Sequence, residues 1–256
     1  MINLNSDYKN THKSMFIVPI GDMHIGNRCY DESYVEKALS FVDKHRNRCR
    51  IYLMGDILEL ATKTSVGRGV YDETMHTQQQ FDKAIKIFKP YADLIDIIVE
   101  GNHEERIIRD TSFEIVEEFS HRIGRPEAYA KFAGIVNTRV GEQIYSSYVW
   151  HGSTGGTKEA SALNALLSMR ERALCHMYFM GHTHKLIAFK RKIFLPNPNG
   201  SAPLDLEQLF VNTGTALADG GYGEQKGFAL QETGYGAVEL FADTKQMIFH
   251  RISDLV

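Results

Sequence analysis

Five short turns carry the residues best suited to chemistry. In chain order they read Gly21-Asp22-Met23-His24, Gly55-Asp56, Gly101-Asn102-His103-Glu104, His151-Gly152 and Gly181-His182-Thr183-His184. Their metal-binding groups are Asp22, His24, Asp56, Asn102, His151, His182 and His184, or two carboxylates, one amide oxygen and four imidazoles. Such a mixture of oxygen and nitrogen donors suits Mn, Fe, Zn or Ni better than Ca or Mg. One metal with an open position needs only three or four protein ligands. Seven donors therefore point to two divalent transition metal ions, Mn first among them. They would sit ~3.5–4 Å apart around a shared carboxylate, the spacing that clamps a phosphoryl group during in-line attack. Taken singly, each residue has an ordinary reading: Gly-Asp pairs make turns and caps, and Asn102 suits a helix N-cap.

The elements that must position these turns follow from the apolar pattern. Met15–Ile20, Arg50–Met54, Leu94–Val99 and His176–Met180 read as buried strands, each running into one of the turns. Residues 135–140 and 143–150 read as a hairpin across Gly141-Glu142. Helical spacing covers residues 31–45, 77–88, 104–119 and 158–172. Further strands are expected at 186–194, 209–212, 236–241 and 246–252. On a strand, residues i and i+2 share a face, which would bring Asp22 to His24 and His182 to His184. The expected class is α/β, a layered sandwich with the turns gathered at the strand carboxyl ends, where ligands bind in such sheets. Residues 1–13 read as an irregular N-terminal segment and 14–256 as one domain. Residues 61–76 and 215–234 lack periodicity, and long loops in compact domains are often functional.

Composition narrows the class of function. The 256 residues carry 29 Lys plus Arg against 32 Asp plus Glu, a formal net charge of −3. That near-balance excludes a protein that holds nucleic acid by bulk charge alone, though not a local basic groove. No apolar run reaches the ~18 residues a membrane helix needs. Met1 to Ser14 is polar, with no apolar signal core. The three cysteines, Cys29, Cys49 and Cys175, are odd in number and widely spaced, so a disulfide framework is not expected and a reducing cytoplasm fits.

The series D-x-H, G-D, G-N-H-E, H-G and G-H-T-H, in this order over residues 16–184, resembles the calcineurin-like metallophosphoesterase superfamily. The resemblance implies an α/β/β/α sandwich, with two mixed sheets flanked by helices around a dinuclear metal site. It assigns Asp22, His24 and His184 to one metal and Asn102, His151 and His182 to the other, with Asp56 as the bridge. It further implies attack by a metal-held hydroxide, with His103 binding no metal and serving as general acid for the leaving oxygen.

The resemblance leaves the substrate open. Ser/Thr protein phosphatases of this superfamily carry Asp-Arg-Gly after the second motif. Here Ile57-Leu58-Glu59 follows Gly55-Asp56, with no arginine to hold a phosphomonoester dianion. Gly181-His182-Thr183-His184 is more typical of the phosphodiesterase and nuclease branches, and the length resembles compact phage and bacterial phosphoesterases. A phosphodiester, DNA or a nucleotide among the candidates, is the expected substrate. A phosphomonoesterase and a non-catalytic scaffold on the same fold are the alternatives. Arg68 and Lys158 are candidate substrate contacts. Lys185, Lys190, Arg191 and Lys192 suit either a solvated strand face or contact with a phosphate backbone. Tyr222 is a candidate stacking residue, though surface packing is the plainer reading, and His76 is a candidate for the cleft. Residues 61–76 are expected at its mouth.

Overall fold

A computed structural model of the chain describes residues 2–8, 13–62, 65, 73–156, 158–200, 202–220 and 232–255. Its first strands are β1 (Ile2–Tyr8), β2 (Ser14–Ile20), β3 (Cys49–Leu53), β4 (Ile95–Val99), β5 (Tyr129–Lys131) and β6 (Ala133–Val140). They are followed by β7 (Gln143–Trp150), β8 (Met177–Met180), β9 (Leu186–Leu195), β10 (Leu204–Thr213), β11 (Gly236–Phe241) and β12 (Met247–Arg251). Five α-helices are described: α1 (Glu32–Lys44), α2 (Thr77–Phe88), α3 (Asn102–Thr111), α4 (Ile115–Ile123) and α5 (Glu159–Ser168). Asp31 caps α1 by accepting the Ser33 N–H at 3.0 Å.

The strands form two six-stranded sheets. The first runs β12-β11-β2-β3-β4-β5 and the second β1-β6-β7-β8-β10-β9. Both are mixed. In the first, β2, β3, β4 and β5 are parallel and β11 runs against β2; in the second, β7, β8 and β10 are parallel. The two-residue period of the strands divides their apolar side chains between layers. Met15 and Ile17 of β2, Ile97 of β4, Met177 and Phe179 of β8, and Val211 of β10 face the core between the sheets. Their neighbours Phe16, Val18, Ile51 and Ile98 face outward to meet α1, α2 and α4. On the far side, Tyr178, Met180 and Phe210 pack under Leu166 of α5. The result is the expected α/β/β/α layering.

Two expectations need correction. Residues 2–8 are not irregular: they form β1, which pairs in parallel with β6 from Ile2↔Gly134 to Tyr8↔Val140. Ile2 and Leu4 pack against the inter-sheet core and Ser6 is buried, while Asn3 and Asn5 are exposed. The alternation is present but largely polar, so it reads weakly as a strand. Likewise, residues 104–119 are not one helix. Ser112 ends α3 in a left-handed conformation (φ 60°), and α4 starts at Ile115. Neither Gly nor Pro marks that break.

Candidate metal centre

The five turns converge. The carboxyl ends of β2, β3 and β4 deliver Asp22, Asp56 and Asn102 from the first sheet, while β7 and β8 deliver His151 and His182 from the second. Strand alternation is not what pairs Asp22 with His24 or His182 with His184, because β2 ends at Ile20 and β8 at Met180. Instead the chain leaves each strand through left-handed residues. Asp22 (φ 46°), His24 (φ 53°), Asp56 (φ 48°), His182 (φ 66°) and His184 (φ 57°) all have positive φ. Side chains other than Gly avoid this region, and each such residue costs of order 1–3 kcal/mol. Five strained residues out of seven candidates mark these turns as built for a site. Two glycines let the carboxylates in: a Cβ at Gly101 would collide with Asp56 Oδ1, and one at Gly181 would lie 2.5 Å from Asp22 Oδ2.

Two groups of donor atoms result. In the first, His24 Nε2 and His184 Nε2 lie 3.0 Å apart, and Asp22 Oδ1 is 3.4 Å from His184 Nε2. In the second, Asn102 Oδ1 is 2.7 Å from His182 Nδ1 and 3.3 Å from His151 Nε2. Asp56 joins them, with Oδ2 at 3.3 Å from His151 Nε2 and 3.9 Å from His24 Nε2. Each group draws side chains from both sheets. Asp22, His24, Asp56 and His151 are buried, while Asn102, His182 and His184 are partly exposed and form the open side.

The outer ring nitrogens decide what the inner ones can bind. His24 Nδ1 meets Glu59 Oε2 at 3.1 Å, His151 Nδ1 the Met54 carbonyl at 2.7 Å, and His182 Nε2 the Thr154 carbonyl at 3.1 Å. All three partners are acceptors, so each outer nitrogen carries a hydrogen and each inner one is the atom left to take up a proton or a metal. Carboxylate or carbonyl partners of this kind orient metal-binding histidines. Facing inward are imidazole lone pairs, Asp22, Asp56 and the Asn102 oxygen, a set of acceptors that fits a cation. Protons substitute for it in the chain alone. Burial works to lower the His151 pKa, but Asp56 outweighs it and raises it to about 10. Burial likewise opposes charge on His24, yet the Glu59 hydrogen bond and the Asp56, Glu59 and Asp22 charges raise it to about 8. Asp56 is buried as well, but the imidazoles of His151, His103 and His24 hold it well below the usual carboxylate range.

His103 stands outside both of these groups, although with His24 and Glu59 it makes a further set of donor atoms within 4.8 Å of one another. Its main-chain N–H donates to Asp56 Oδ1 at 2.8 Å, and Nδ1 donates to the Glu59 carbonyl at 2.7 Å. Nε2 lies 3.9 Å from Asp56 Oδ2 and accepts from Arg106 Nη2 at 2.9 Å. Burial, aided by the His24 and Arg106 charges, outweighs Asp56 and Glu59 and lowers its pKa to about 4, so the imidazole is neutral.

Three residues take roles that the motif series does not assign. Glu59, three after Asp56, orients His24 and accepts from Asn27 Nδ2 at 3.1 Å. Burial opposes its charge, but His24 holds its pKa down at about 2. Glu104 is more than a helix first-turn acid. It is buried and accepts the N–H groups of Asp56 (2.9 Å), Leu58 (3.0 Å) and Gly101 (3.0 Å), tying two of the turns together. Burial, and then the Asp56 charge, raise its pKa to about 7. Arg106 is the third. Glu59 lies three residues after Asp56, and Glu104 and Arg106 lie two and four after Asn102.

The remaining candidates lie elsewhere. Lys158 is exposed and precedes α5. Arg68 and Tyr222, with most of residues 61–76 and 215–234, lie outside the described residues. His76 is exposed ahead of α2, its N–H donating to Gln79 Oε1 at 3.1 Å. In the basic run Lys185 is buried, while Lys190 and Lys192 pair with Glu207 (2.8 Å) and Asp205 (3.7 Å) of β10, as a strand face does. Cys29, Cys49 and Cys175 form no disulfide. No helix among the described residues is long and apolar enough to cross a membrane.

No family model and no curated protein matches the chain. Among solved structures it is similar to a predicted phosphoesterase from Streptococcus pneumoniae, at 16% identity over 95% of this chain and 92% of that one, with a TM-score of 0.40. It is also similar to Vacuolar Protein Sorting 29 from Cryptosporidium parvum (16% identity, 93% and 97% covered, TM-score 0.44). A third is a calcineurin-like phosphoesterase from Bacillus subtilis (12%, 95% and 92%, TM-score 0.40).

Proposed function

We propose that the chain is a metal-dependent phosphoric ester hydrolase acting on phosphodiesters. The observation that carries this reading is the pair of inward-facing donor groups sharing Asp56, with His103 beside them and outside both. Asp22, His24 and His184 would hold one cation, Asn102, His151 and His182 the other, and Asp56 both. Divalent transition metals there, Mn foremost and Fe, Zn or Ni by the same donor chemistry, supply positive charge to phosphoryl oxygens and acidify water.

The protein's own residues do the rest. Glu59 and the Met54 and Thr154 carbonyls fix three imidazoles by their outer nitrogens, so the donor atoms need no reorganisation. Asp56 also fixes His103, through its main-chain N–H. His103 Nε2 faces the shared carboxylate and is the group placed to serve the leaving oxygen. As general acid it must gain a proton when substrate arrives, since it rests neutral with its hydrogen on Nδ1. The negative charge of a bound phosphoester favours that gain.

Two features support a diester. The residues after Asp56 are Ile57, Leu58 and Glu59, and the first two are buried aliphatics. The Glu59 carboxylate adds negative charge that a monoester dianion would meet. DNA or a nucleotide fits a single-charge phosphodiester. Three cysteines, odd in number and joined by no disulfide, suit a reducing compartment, and we place the protein in the cytoplasm.

The test is hydrolysis of bis-p-nitrophenyl phosphate, p-nitrophenyl phosphate, cyclic nucleotides, and single-stranded and duplex DNA with Mn(II), Ni(II), Zn(II) or Mg(II). Metal-dependent turnover of a diester is expected. Stoichiometric metal with no turnover of any ester would overturn the enzyme in favour of a scaffold.

A further inference from the structure

Arg106 lies one helical turn beyond His103, on α3. Its Nη2 donates to His103 Nε2 at 2.9 Å and its Nη1 to the Glu59 carbonyl at 3.3 Å. Both acceptors are neutral. No ion pair among the described residues involves Arg106, whereas Arg46, Arg48, Arg50, Arg122, Arg125 and Arg251 each face a carboxylate. Arg106 is also partly buried. A desolvated guanidinium without a counter-charge is a standing attraction for an anion.

Its position makes that anion part of the site. His103 Nε2 lies 3.9 Å from Asp56 Oδ2 on one side and 2.9 Å from Arg106 Nη2 on the other. The guanidinium therefore stands one imidazole away from the carboxylate that joins the two donor groups. The imidazole is pinned by Nδ1 to the Glu59 carbonyl and through its main chain to Asp56. Of the two partners, the long arginine side chain is the one free to turn. A phosphoryl oxygen is also a better acceptor for a guanidinium than a neutral imidazole nitrogen, because it brings a negative charge to meet the positive one.

We propose that Arg106 binds a non-bridging oxygen of the substrate's phosphate and gives up His103 Nε2 to do so. This rests on the phosphoester reading and names the cation that reading lacked. Arginine is absent after Asp56, but α3 brings one to the same site from the fourth residue of Asn102–Thr111 that follows the Asn102 donor. One guanidinium matches the single charge of a phosphodiester. Release of Nε2 then leaves His103 facing the reacting phosphate with an open nitrogen.

The experiment compares wild type, R106Q and R106K, each with metal content measured. Inorganic phosphate affinity is read by calorimetry on the metal-loaded protein, and KM and kcat on bis-p-nitrophenyl phosphate. R106Q should weaken phosphate binding and raise KM at least tenfold, with the smaller share of the loss in kcat and metal content unchanged. R106K should fall between R106Q and wild type, since it keeps the charge and loses the planar fork. Phosphate Kd and KM within twofold of wild type in R106Q would overturn the proposal. If R106Q does not fold, the same result in R106K overturns it. The two readings fail separately. Arg106-dependent phosphate binding without hydrolysis of any ester would sink the hydrolase and keep the anion site; hydrolysis with Arg106-independent KM and Kd would do the reverse.

Discussion

His24 Nε2 and His184 Nε2 face each other at 3.0 Å, and only one of them can carry a proton between them. With Glu59 on its outer nitrogen, His24 is the one that holds it, at a pKa of about 8. In His151, Nε2 is held protonated toward Asp56, up to about 10. A metal must displace these protons, because it binds the bare nitrogen. Metal uptake at pH 7 should therefore release protons, and affinity should climb with pH through about 8. Calorimetric titration in two buffers of different ionisation heat measures this directly. No proton release at pH 7 would show that the inward nitrogens were already bare.

The same shifts set the stability of the metal-free chain. Both folded pKa values lie above the unfolded value of 6.5. The folded state binds these protons more tightly, so their stabilisation is complete below about pH 6.5. It is lost as pH rises through about 8 and then about 10. Urea midpoints of stripped protein should fall from pH 6.5 to 10, and the metal-loaded protein should show a smaller fall.

Asp56→Asn should strip metal from both positions and remove nearly all activity, since Oδ2 faces both donor groups and Oδ1 holds the His103 N–H. The checks are metal stoichiometry and turnover on the same sample. Two metals per chain with normal turnover would remove Asp56 from the bridge.

His103→Ala should keep its metals, because its nearer contacts are the Glu59 carbonyl and Arg106. The loss should grow with the basicity of the leaving group, by the ~10²–10⁴-fold typical of general acid catalysis for a nucleoside hydroxyl. It should be small for p-nitrophenolate. Equal losses on both esters would reduce His103 to packing.

Bis-p-nitrophenyl phosphate should have a higher kcat/KM than p-nitrophenyl phosphate under Mn(II). The reverse order would show that Arg106, or a cation outside the described residues, holds a dianion despite Glu59.

Glu104→Ala should cost about 2–5 kcal/mol, because it leaves the buried N–H groups of Gly101, Asp56 and Leu58 without their acceptor. Urea unfolding measures the loss. A cost below ~1 kcal/mol would mean that those groups find other partners.

Much of this was legible in the sequence because apolar strands ending in Gly-Asp or Gly-His turns are a local signal. The helix at Thr77–Phe88 is legible to the residue, with Phe81, Ala84 and Phe88 on its buried face and Pro90 beyond. What was lost depended on three-dimensional context. β1 hides because its outward positions are Asn and its inward ones too few. Ser112 breaks a helix that its periodicity would have continued. Glu59 and Arg106 are ordinary charged residues until the fold turns them to His24 and His103. The pairing of Asp22 with His24 was anticipated, but for strand alternation, whereas left-handed backbone brings it about.

Both donor groups cross the seam between the sheets. Asp22, His24, Asp56 and Asn102 come from one side, and His151, His182 and His184 from the other. A cation held by both would act as a clasp, binding only where the layers are already docked and resisting their separation. At a hundred times its Kd it would add about 2.7 kcal/mol to that docking. Chelation should loosen the sandwich along this seam first. Amide exchange should then accelerate in the turns after β2, β3, β7 and β8 well before it does in the helix-covered outer faces. The protein's mechanical integrity and its readiness to react would thus rise and fall together with the supply of metal.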